Sequence, residues 1–242
     1  MALAGSGLFR VMNGRDRLPI DAIRDALIGG VRNNRRWGLT APPGAGKSTR
    51  IPVWVAEAAV SMDRQVWVVQ PRRLAARLLA AHVAAERGER LGEGVGVQTR
   101  FDSILSRRTR ILYMTDGVAF RRFLEEGERI QAGAVIFDEF HERRLVMDAA
   151  LALAIRLQKT ARPDLTVGVL SATLEEDRIR RYWPDAPFWR LTGRTWPVEI
   201  RYLDKPIPSD AQSATDAAVN NLLDTWPRVF EGHALIFLPG AT

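Results

Sequence analysis

The segment APPGAGKST at 41–49 has the residue types that hold a nucleotide phosphate. Successive backbone N–H groups in a glycine-rich turn can surround a β-phosphate, and the positive end of the helix that follows strengthens this attraction. The Lys47 ammonium can reach the β- and γ-phosphates, and the Ser48 hydroxyl can occupy one position on Mg²⁺. The pattern normally opens with Gly, and Ala41 can replace it where the backbone needs no positive φ. We therefore predict a phosphate-binding loop here.

A second motif, AVIFDEFH at 134–141, has the carboxylates that such a site requires. Mg²⁺ prefers an octahedron of hard oxygen ligands, which the Ser48 hydroxyl cannot complete alone. The apolar run predicts a buried strand, so Asp138 lies at its C-terminal end, where it can hold the metal directly or through water. Glu139 comes one residue later and can orient or deprotonate an attacking water. Taken alone, both carboxylates could also be solvated residues at a strand end.

Strand and helix patterns alternate around these motifs. Short runs that are apolar on both faces predict buried parallel strands at 37–41, 65–70, 110–114, 134–139 and 166–173. The stretches between and after them predict helices at 47–60, 72–87, 116–126, 144–159 and 175–182. Parallel strands need crossover connections of this length, which place helices on both faces of the sheet. We therefore predict an α/β fold with a mostly parallel sheet.

Composition excludes several other classes of protein. The chain has 242 residues, 46% of them hydrophobic and 26% charged, and no Cys, which excludes a disordered chain, a disulfide scaffold and a zinc–cysteine site. No apolar stretch approaches the roughly 18 residues that span a bilayer, and no secretory signal opens the chain, so we expect a cytoplasmic protein with no membrane partner. The net charge of +7 attracts polyanions such as nucleic acid, but an arginine-rich surface alone gives the same balance.

Six motifs occur in a characteristic order, namely APPGAGKST (41–49), QPRRLAAR (70–77), MTDG (114–117), DEFHER (138–143), SAT (171–173) and LIFLPG (235–240). Their order and spacing resemble those of the DEAH-box members of helicase superfamily 2. The Phe in DEFH, the APPGAGK variant and the run RTWPVEIRYL are further similar to the bacterial HrpB-type branch. The resemblance implies RecA-like P-loop NTPase domains, two in each protein, with ATP and Mg²⁺ between them and a single-stranded nucleic acid, usually RNA, lying across both.

The resemblance also implies a role for each motif residue. It assigns ATP binding to Pro43, Gly44, Ala45, Gly46, Lys47, Ser48 and Thr49. The catalytic residues would be Lys47, Asp138, Glu139 and His141, and the metal ligands Ser48 and Asp138. His141 would couple the nucleotide site to Ser171, Ala172 and Thr173, which link hydrolysis to strand opening. Without the resemblance, His141 could equally pack on the domain surface, and the two hydroxyls could simply end a strand.

Nucleic-acid contacts are expected in loops at the same edge of the sheet. Arg72 and Arg73 follow one strand and suit phosphate oxygens. Thr115 and Asp116 follow another strand, at a helix start whose N–H groups can hold a phosphate. Arg100, in GVQTRF, is a further candidate. Such contacts predict little sequence preference and a steep salt dependence, and they do not distinguish RNA from DNA.

The aromatic residues predict core packing and no base-stacking surface. Trp54 and Trp67 fall inside a predicted helix and a predicted strand. Trp183, Trp189 and Trp196 are expected to cluster where the first domain ends and to hold the linker against it. Without the resemblance, a solvated helix start in an arginine-rich protein is the favoured interpretation of Arg72 and Arg73.

We expect an N-terminal extension at 1–17, a first RecA-like domain at 18–195, and a linker with the truncated start of a second RecA-like domain at 196–242. A strand at 198–203, a helix at 213–225 and a strand at 233–240 cannot close a core by themselves. The resemblance implies that the second domain supplies arginines, worth about 10³–10⁵ in rate, from a QRxGRxGR-like segment that this sequence lacks. We therefore expect weak RNA binding and slow hydrolysis without unwinding.

Three other functions remain open on the sequence. They are a P-loop motor that acts on DNA, a small-molecule kinase, and a non-catalytic nucleotide-binding interaction domain. A kinase needs neither the QPRR nor the SAT segment, and intact Lys47, Asp138 and Glu139 disfavour a non-catalytic domain. The sequence also leaves the oligomeric state open.

Overall fold

The computed structural model describes residues 17–58, 61, 63–173, 176–192, 200, 202 and 211–225. The chain divides into two compact units, Met1–Arg194 and Thr195–Thr242. The predicted strand at 233–240, and the predicted extension apart from Arg17, lie outside the described residues. So does the predicted strand at 198–203, except for Ile200 and Tyr202, which are exposed and have no regular structure.

The described residues form eight strands and seven α-helices. The strands are β1 (Arg36–Thr40), β2 (Gln65–Gln70), β3 (Val95–Gln98), β4 (Ser103–Ile104), β5 (Ile111–Thr115), β6 (Ala132–Phe137), β7 (Thr166–Ser171) and β8 (Phe188–Arg190). The helices are α1 (Arg24–Asn33), α2 (Lys47–Ala58), α3 (Arg73–Glu86), α4 (Asp116–Glu126), α5 (Leu145–Thr160), α6 (Glu176–Tyr182) and α7 (Ala211–Thr225). Short 3-10 helices lie at Pro19–Ile23, Gly127–Arg129 and Phe140–Glu142. None of the described helices is long and apolar enough to cross a membrane.

All eight strands form one sheet in the order β4-β3-β5-β2-β6-β7-β1-β8. Every neighbouring pair is parallel except β3 and β4. The carboxyl ends of β5, β2, β6, β7 and β1 therefore lie side by side along one edge, and each leads into one of the predicted motifs. The α/β fold with a mostly parallel sheet is confirmed, and it places these motifs together.

Side chains on alternate positions of each strand pack into two separate cores. One core lies under α1, α2 and α3 and contains Trp37, Val68 and Tyr113; the other lies under α4, α5 and α6 and contains Trp67 and Phe137. Burial on both faces explains why the strands read as continuous apolar runs. Close packing leaves no space at Gly168, where a Cβ would lie 2.2 Å from the Trp37 ring.

The five predicted strands and the five predicted helices of the first unit are confirmed, with ends that shift by up to two residues. The chain also contains α1, β3, β4 and β8, which no prediction covered; the three strands have two to four residues, too few for a clear pattern. Trp54 and Trp67 are buried as predicted. The predicted tryptophan cluster is wrong, because Trp183 and Trp189 pack into the cores on opposite faces of the sheet; Trp196 lies outside the described residues.

Candidate functional site

The loop between β1 and α2 turns tightly through two glycines. Gly44 and Gly46 have φ values of 76° and 92°, which side-chain-bearing residues rarely adopt. A Cβ on Gly46 would also lie 2.6 Å from Cδ1 of Leu18. Ala41, at the position where the pattern normally has Gly, is buried and has no positive φ, so alanine fits there. The loop therefore has the backbone that a phosphate requires.

A short segment before α1 supports this loop from outside. The backbone N–H of Ile20 donates to the carbonyl of Ala45 at 3.1 Å, and Ile20 is fully buried. Within the loop, the Thr49 hydroxyl donates to the Gly46 carbonyl at 3.2 Å. Thr49 therefore stabilises the start of α2, and the loop is held on both sides before any ligand binds.

Asp138 follows β6 and is completely buried. Its Oδ2 accepts a hydrogen bond from Nε2 of Gln70 at 2.6 Å, and its Oδ1 accepts the N–H of Glu139 at 2.8 Å. Burial raises the pKa of Asp138 above its ordinary value, and hydrogen bonding to the Ser48 side chain opposes this shift. Gln70 ends the neighbouring strand β2 and is itself buried, so it orients the carboxylate.

Lys47 and Glu139 form an ion pair across the two motifs. Nζ of Lys47 lies 3.1 Å from Oε1 of Glu139, and the lysine side chain is 5% exposed. Glu139 has a φ of 50° in the left-handed region, an unusual conformation for a residue with a side chain. Strain of this kind costs about 1–3 kcal/mol and is concentrated at functional sites. The pair brings the loop lysine and the acidic segment to one point.

The oxygen atoms beside this pair fit a magnesium ion bound together with phosphate. Ser48 and Asp138 contact each other through their side chains, so a hydroxyl and a carboxylate oxygen, both hard ligands, stand together. A cluster of three or more His, Cys, Asp or Glu side chains suited to a metal does not occur among the described residues. Mg²⁺ usually binds through one or two protein ligands together with phosphates and waters.

His141 lies between the acidic segment and the end of β7. Its Nδ1 accepts the N–H of Ala172 at 3.4 Å and lies 3.5 Å from Oε2 of Glu139. The buried Ser171 hydroxyl accepts the N–H of Thr173 at 3.2 Å and so shapes the turn, whereas Thr173 is exposed. His141, Ala172 and Thr173 line a cavity of 650 Å³, together with Thr40 and Pro42 from the phosphate-loop side. His141 is therefore in direct contact with the turn at 171–173.

The loops after β2 and β5 border a second cavity, of 480 Å³. Its basic lining residues are Arg73, Arg100, Arg121 and Arg144. Arg144 donates to the carbonyl of Pro71, and its NH1 lies 3.3 Å from Oδ2 of Asp116. It therefore ties the two loops together, a role that no sequence pattern indicates because its partners are 73 and 28 residues away.

Thr115 and Asp116 are placed differently from the expectation that a helix start offers free donors. Both residues are nearly buried, and Oδ1 of Asp116 accepts the N–H of Gly117 at 2.8 Å. Burial raises the pKa of Asp116, and Arg144 opposes that shift. Thr115 and Asp116 nevertheless line the cavity beside the arginines, and the Asp116 carboxylate occupies the first turn of α4.

The three predicted arginines separate into two groups. Arg73 and Arg100 line the cavity and lie over the ring of Phe101, at 5.8 and 5.1 Å from its centroid. Arg72 instead pairs with Glu142 at 3.2 Å and does not line the cavity. Phe101 is 75% exposed, which is unusual for a large apolar side chain. Phe101 is therefore an exposed aromatic side chain that the expectation of core packing did not cover.

The chain was compared with known families, proteins and structures. No protein-family model matches it. It is 37% identical over 223 residues to the ATP-dependent RNA helicase HrpB of Escherichia coli K12, a match that covers 92% of this chain and 27% of that protein. The crystal structure of the E. coli DEAH/RHA helicase HrpB matches with a TM-score of 0.78 at 36% identity, over 87% of this chain and 27% of that one. A crystal structure of the E. coli DExH-box NTPase HrpB matches with a TM-score of 0.75 at 36% identity, over 93% of this chain and 27% of that one.

Proposed function

Because this chain belongs to the HrpB-like group of DEAH-box helicases, we propose that it is the Mg-ATP-binding part of an ATP-dependent RNA helicase. The chain spans 27% of the length of the relative it matches, so activity and substrate are inferred for the protein to which it corresponds. One observation carries the proposal. Nζ of Lys47 and Oε1 of Glu139 are 3.1 Å apart, beside the contact between Ser48 and Asp138.

The nucleotide would bind at the phosphate loop. Backbone N–H groups of 44–47 and the Lys47 ammonium would hold the β- and γ-phosphates. Ser48 and Asp138 would hold Mg²⁺, which supplies neutralisation of the charge that develops on the phosphates. A phosphate group would compete with Glu139 for Lys47, and this competition would release the glutamate toward the attacking water.

Glu139 would orient that water and accept its proton. Its carboxylate is close to both Lys47 and His141, so a change at the γ-phosphate would reach His141 and then Ala172 through direct contacts. This chain of contacts supports the proposed coupling between hydrolysis and the turn at 171–173. Substitution of Glu139 by Gln would keep the shape of the side chain and remove the proton acceptor.

A single strand would bind across the second cavity. The guanidinium groups of Arg73, Arg100 and Arg121 offer bidentate donors to phosphates, beside Arg144, which ties the two loops together. The exposed ring of Phe101, flanked by two arginines, offers a face on which a base can stack. RNA is proposed because the matched relative is named as an RNA helicase; a DNA strand is the second candidate, because phosphate contacts fit both.

We further propose the domain organisation expected from the sequence, with a first RecA-like domain at 18–195 and the start of a second at 196–242, and a cytoplasmic location. The arginines that a second domain would supply are worth about 10³–10⁵ in rate. This chain alone would therefore bind Mg-ATP and hydrolyse it slowly.

Filter binding of single-stranded RNA and DNA, together with ATP hydrolysis stimulated by each, tests the proposal. We expect Mg-dependent nucleotide binding, RNA binding, and slow turnover that Glu139→Gln abolishes. Unchanged hydrolysis in Glu139→Gln would favour a role without catalysis at this site, and preferential stimulation by DNA would favour the DNA motor. Turnover of tens per second by this chain alone would contradict the need for further arginines.

A further inference from the structure

Proline interrupts the hydrogen bonds of α2 close to the phosphate loop. Pro52 lies inside this helix, four residues after Ser48. In an α-helix the N–H of residue 52 would bond to the carbonyl of residue 48, but proline has no N–H and its ring crowds that carbonyl. The Ser48 carbonyl therefore lacks the donor that an ordinary helix would supply.

A tyrosine from the sheet supplies a donor in its place. The hydroxyl of Tyr113, on β5, donates to the Ser48 carbonyl at 2.8 Å. Tyr113 is completely buried, and burial raises its pKa well above the ordinary value, so the hydroxyl keeps its hydrogen. Three strands separate β5 from β1 in the sheet, so this bond reaches α2 from a strand remote from the loop.

The same serine carries the proposed metal contact. The Ser48 carbonyl accepts the Tyr113 hydroxyl, whereas hydrogen bonding to the Ser48 side chain lowers the pKa of Asp138. The carbonyl of Ser48 is therefore held by a group outside α2, and its side chain lies toward Asp138. We propose that Tyr113 is a positioning residue, whose hydroxyl replaces the donor that Pro52 lacks and so holds Ser48 where it binds Mg²⁺. This inference rests on the proposed function in taking Ser48 as a metal ligand.

The first test removes the hydroxyl and keeps the ring. In Tyr113→Phe, we expect the affinity of the 242-residue chain for Mg-ADP to fall about tenfold, because a partly buried carbonyl loses its donor beside the metal contact. Affinity for ADP in EDTA should fall less than about twofold, since the phosphate loop itself is unaltered. A general structural defect would lower both affinities equally. Tyr182→Phe is the matched control, because Tyr182 is 80% exposed.

The second test restores a donor within the helix. Pro52→Ala provides an N–H that can bond to the Ser48 carbonyl. In that background, Tyr113→Phe should lower Mg-ADP affinity by less than about twofold, because the tyrosine hydroxyl is then redundant. An equal loss in both backgrounds, or an equal loss with and without Mg²⁺, would overturn the proposal.

Urea unfolding of the parent chain, Tyr113→Phe, Pro52→Ala and the double variant separates this inference from the proposed function. If the parent chain shows no Mg-ADP affinity, the proposed function fails. Tyr113→Phe should still lower the urea midpoint more in the parent chain, which has Pro52, than in the Pro52→Ala variant. The hydrogen bond between Tyr113 and Ser48 exists without a ligand, so this difference does not depend on nucleotide binding. Identical midpoint changes in the two backgrounds would contradict the replacement of the proline donor by the tyrosine.

Discussion

Two charged regions occupy the same edge of the sheet, namely the centre formed by Lys47, Asp138 and Glu139 and the cavity bordered by Arg73 and Arg100. They differ in how far their charged side chains are exposed to solvent. Lys47 and Asp138 are 4% and 0% exposed, and each has a partner that fixes it. The arginines at the cavity are exposed, so solvent and salt screen their charges. We expect the buried centre to select its ligand by geometry and the cavity to bind through its total charge.

The largest expected effect is at the buried centre. Lys47→Ala should weaken Mg-ADP binding by about 100-fold, because the phosphates lose a charged partner in a site shielded from water. Fluorescence titration with a labelled ADP measures this. Lys159→Ala is the matched control, since Lys159 is exposed on α5. Equal affinities of the Lys47 and Lys159 variants would remove the distinction between the two regions.

A smaller effect is expected when two exposed arginines are removed together. Arg73→Ala with Arg100→Ala should weaken binding of a single-stranded RNA by about 30-fold in low salt. The dependence of log affinity on log salt concentration should become shallower by about 1.4, the value for two phosphates on a single strand. Arg156→Ala, an exposed arginine on α5, should change neither quantity. An unchanged salt slope in the double variant would mean that these arginines do not contact phosphate.

Phe101 lies beside the cavity arginines and is exposed but uncharged, so it separates the effect of stacking from the effect of charge. Phe101→Ala should lower RNA affinity by about tenfold, as expected for the loss of one stacked base. The salt slope should stay the same, because no phosphate contact is lost. Phe101→Trp should keep the affinity, whereas Phe101→Leu should behave like alanine. A leucine variant as tight as the parent would show that the ring face is not used.

The smallest effect concerns stability at the buried carboxylate. Because burial raises the pKa of Asp138, the folded chain binds a proton more readily than the unfolded chain, and the charged carboxylate destabilises the fold as pH rises above 3.8. Asp138→Asn should therefore raise Tm by about 2–4 °C at pH 8, and this gain should disappear toward pH 4. Differential scanning calorimetry without Mg²⁺ measures both.

Addition of Mg-ADP provides the control for that variant. It should raise the Tm of the parent chain more than that of Asp138→Asn, since only the parent retains the metal ligand. If Asp138→Asn raised Tm without Mg²⁺ by the same amount at every pH, the charge of Asp138 would not be the cause of that gain.

The two regions also differ in how well the sequence predicts them. Lys47, Ser48, Asp138 and Glu139 belong to short motifs that follow buried strands, and the parallel sheet brings strand ends to one edge. Gln70 contacts Asp138, 68 residues away, and Arg144 contacts Pro71 and Asp116, 73 and 28 residues away. Only the fold reveals such contacts. The outward position of Phe101 depends on a loop between two short strands, for which periodicity carries no information.

Arg72 and Asp116, which belong to two different motifs, show the same limit. The residue types indicated phosphate contact, but Arg72 pairs with Glu142 and Asp116 bonds to the helix start. Local pairing of charges decides which arginine faces the cavity. Sequence patterns therefore predict the edge of the sheet and the kind of chemistry, and the tertiary contacts select the individual side chains.

Calorimetric titration of the 242-residue chain with Mg-ADP tests the central claim most directly. If Lys47, Ser48 and Asp138 together bind one Mg-nucleotide complex, the titration should show one site per chain and much weaker binding in EDTA. Substitution at either motif, by Lys47→Ala or Asp138→Asn, should weaken binding at the same site, by about 100-fold for Lys47→Ala. An absence of binding heat, or an affinity that neither substitution lowers, would contradict the account.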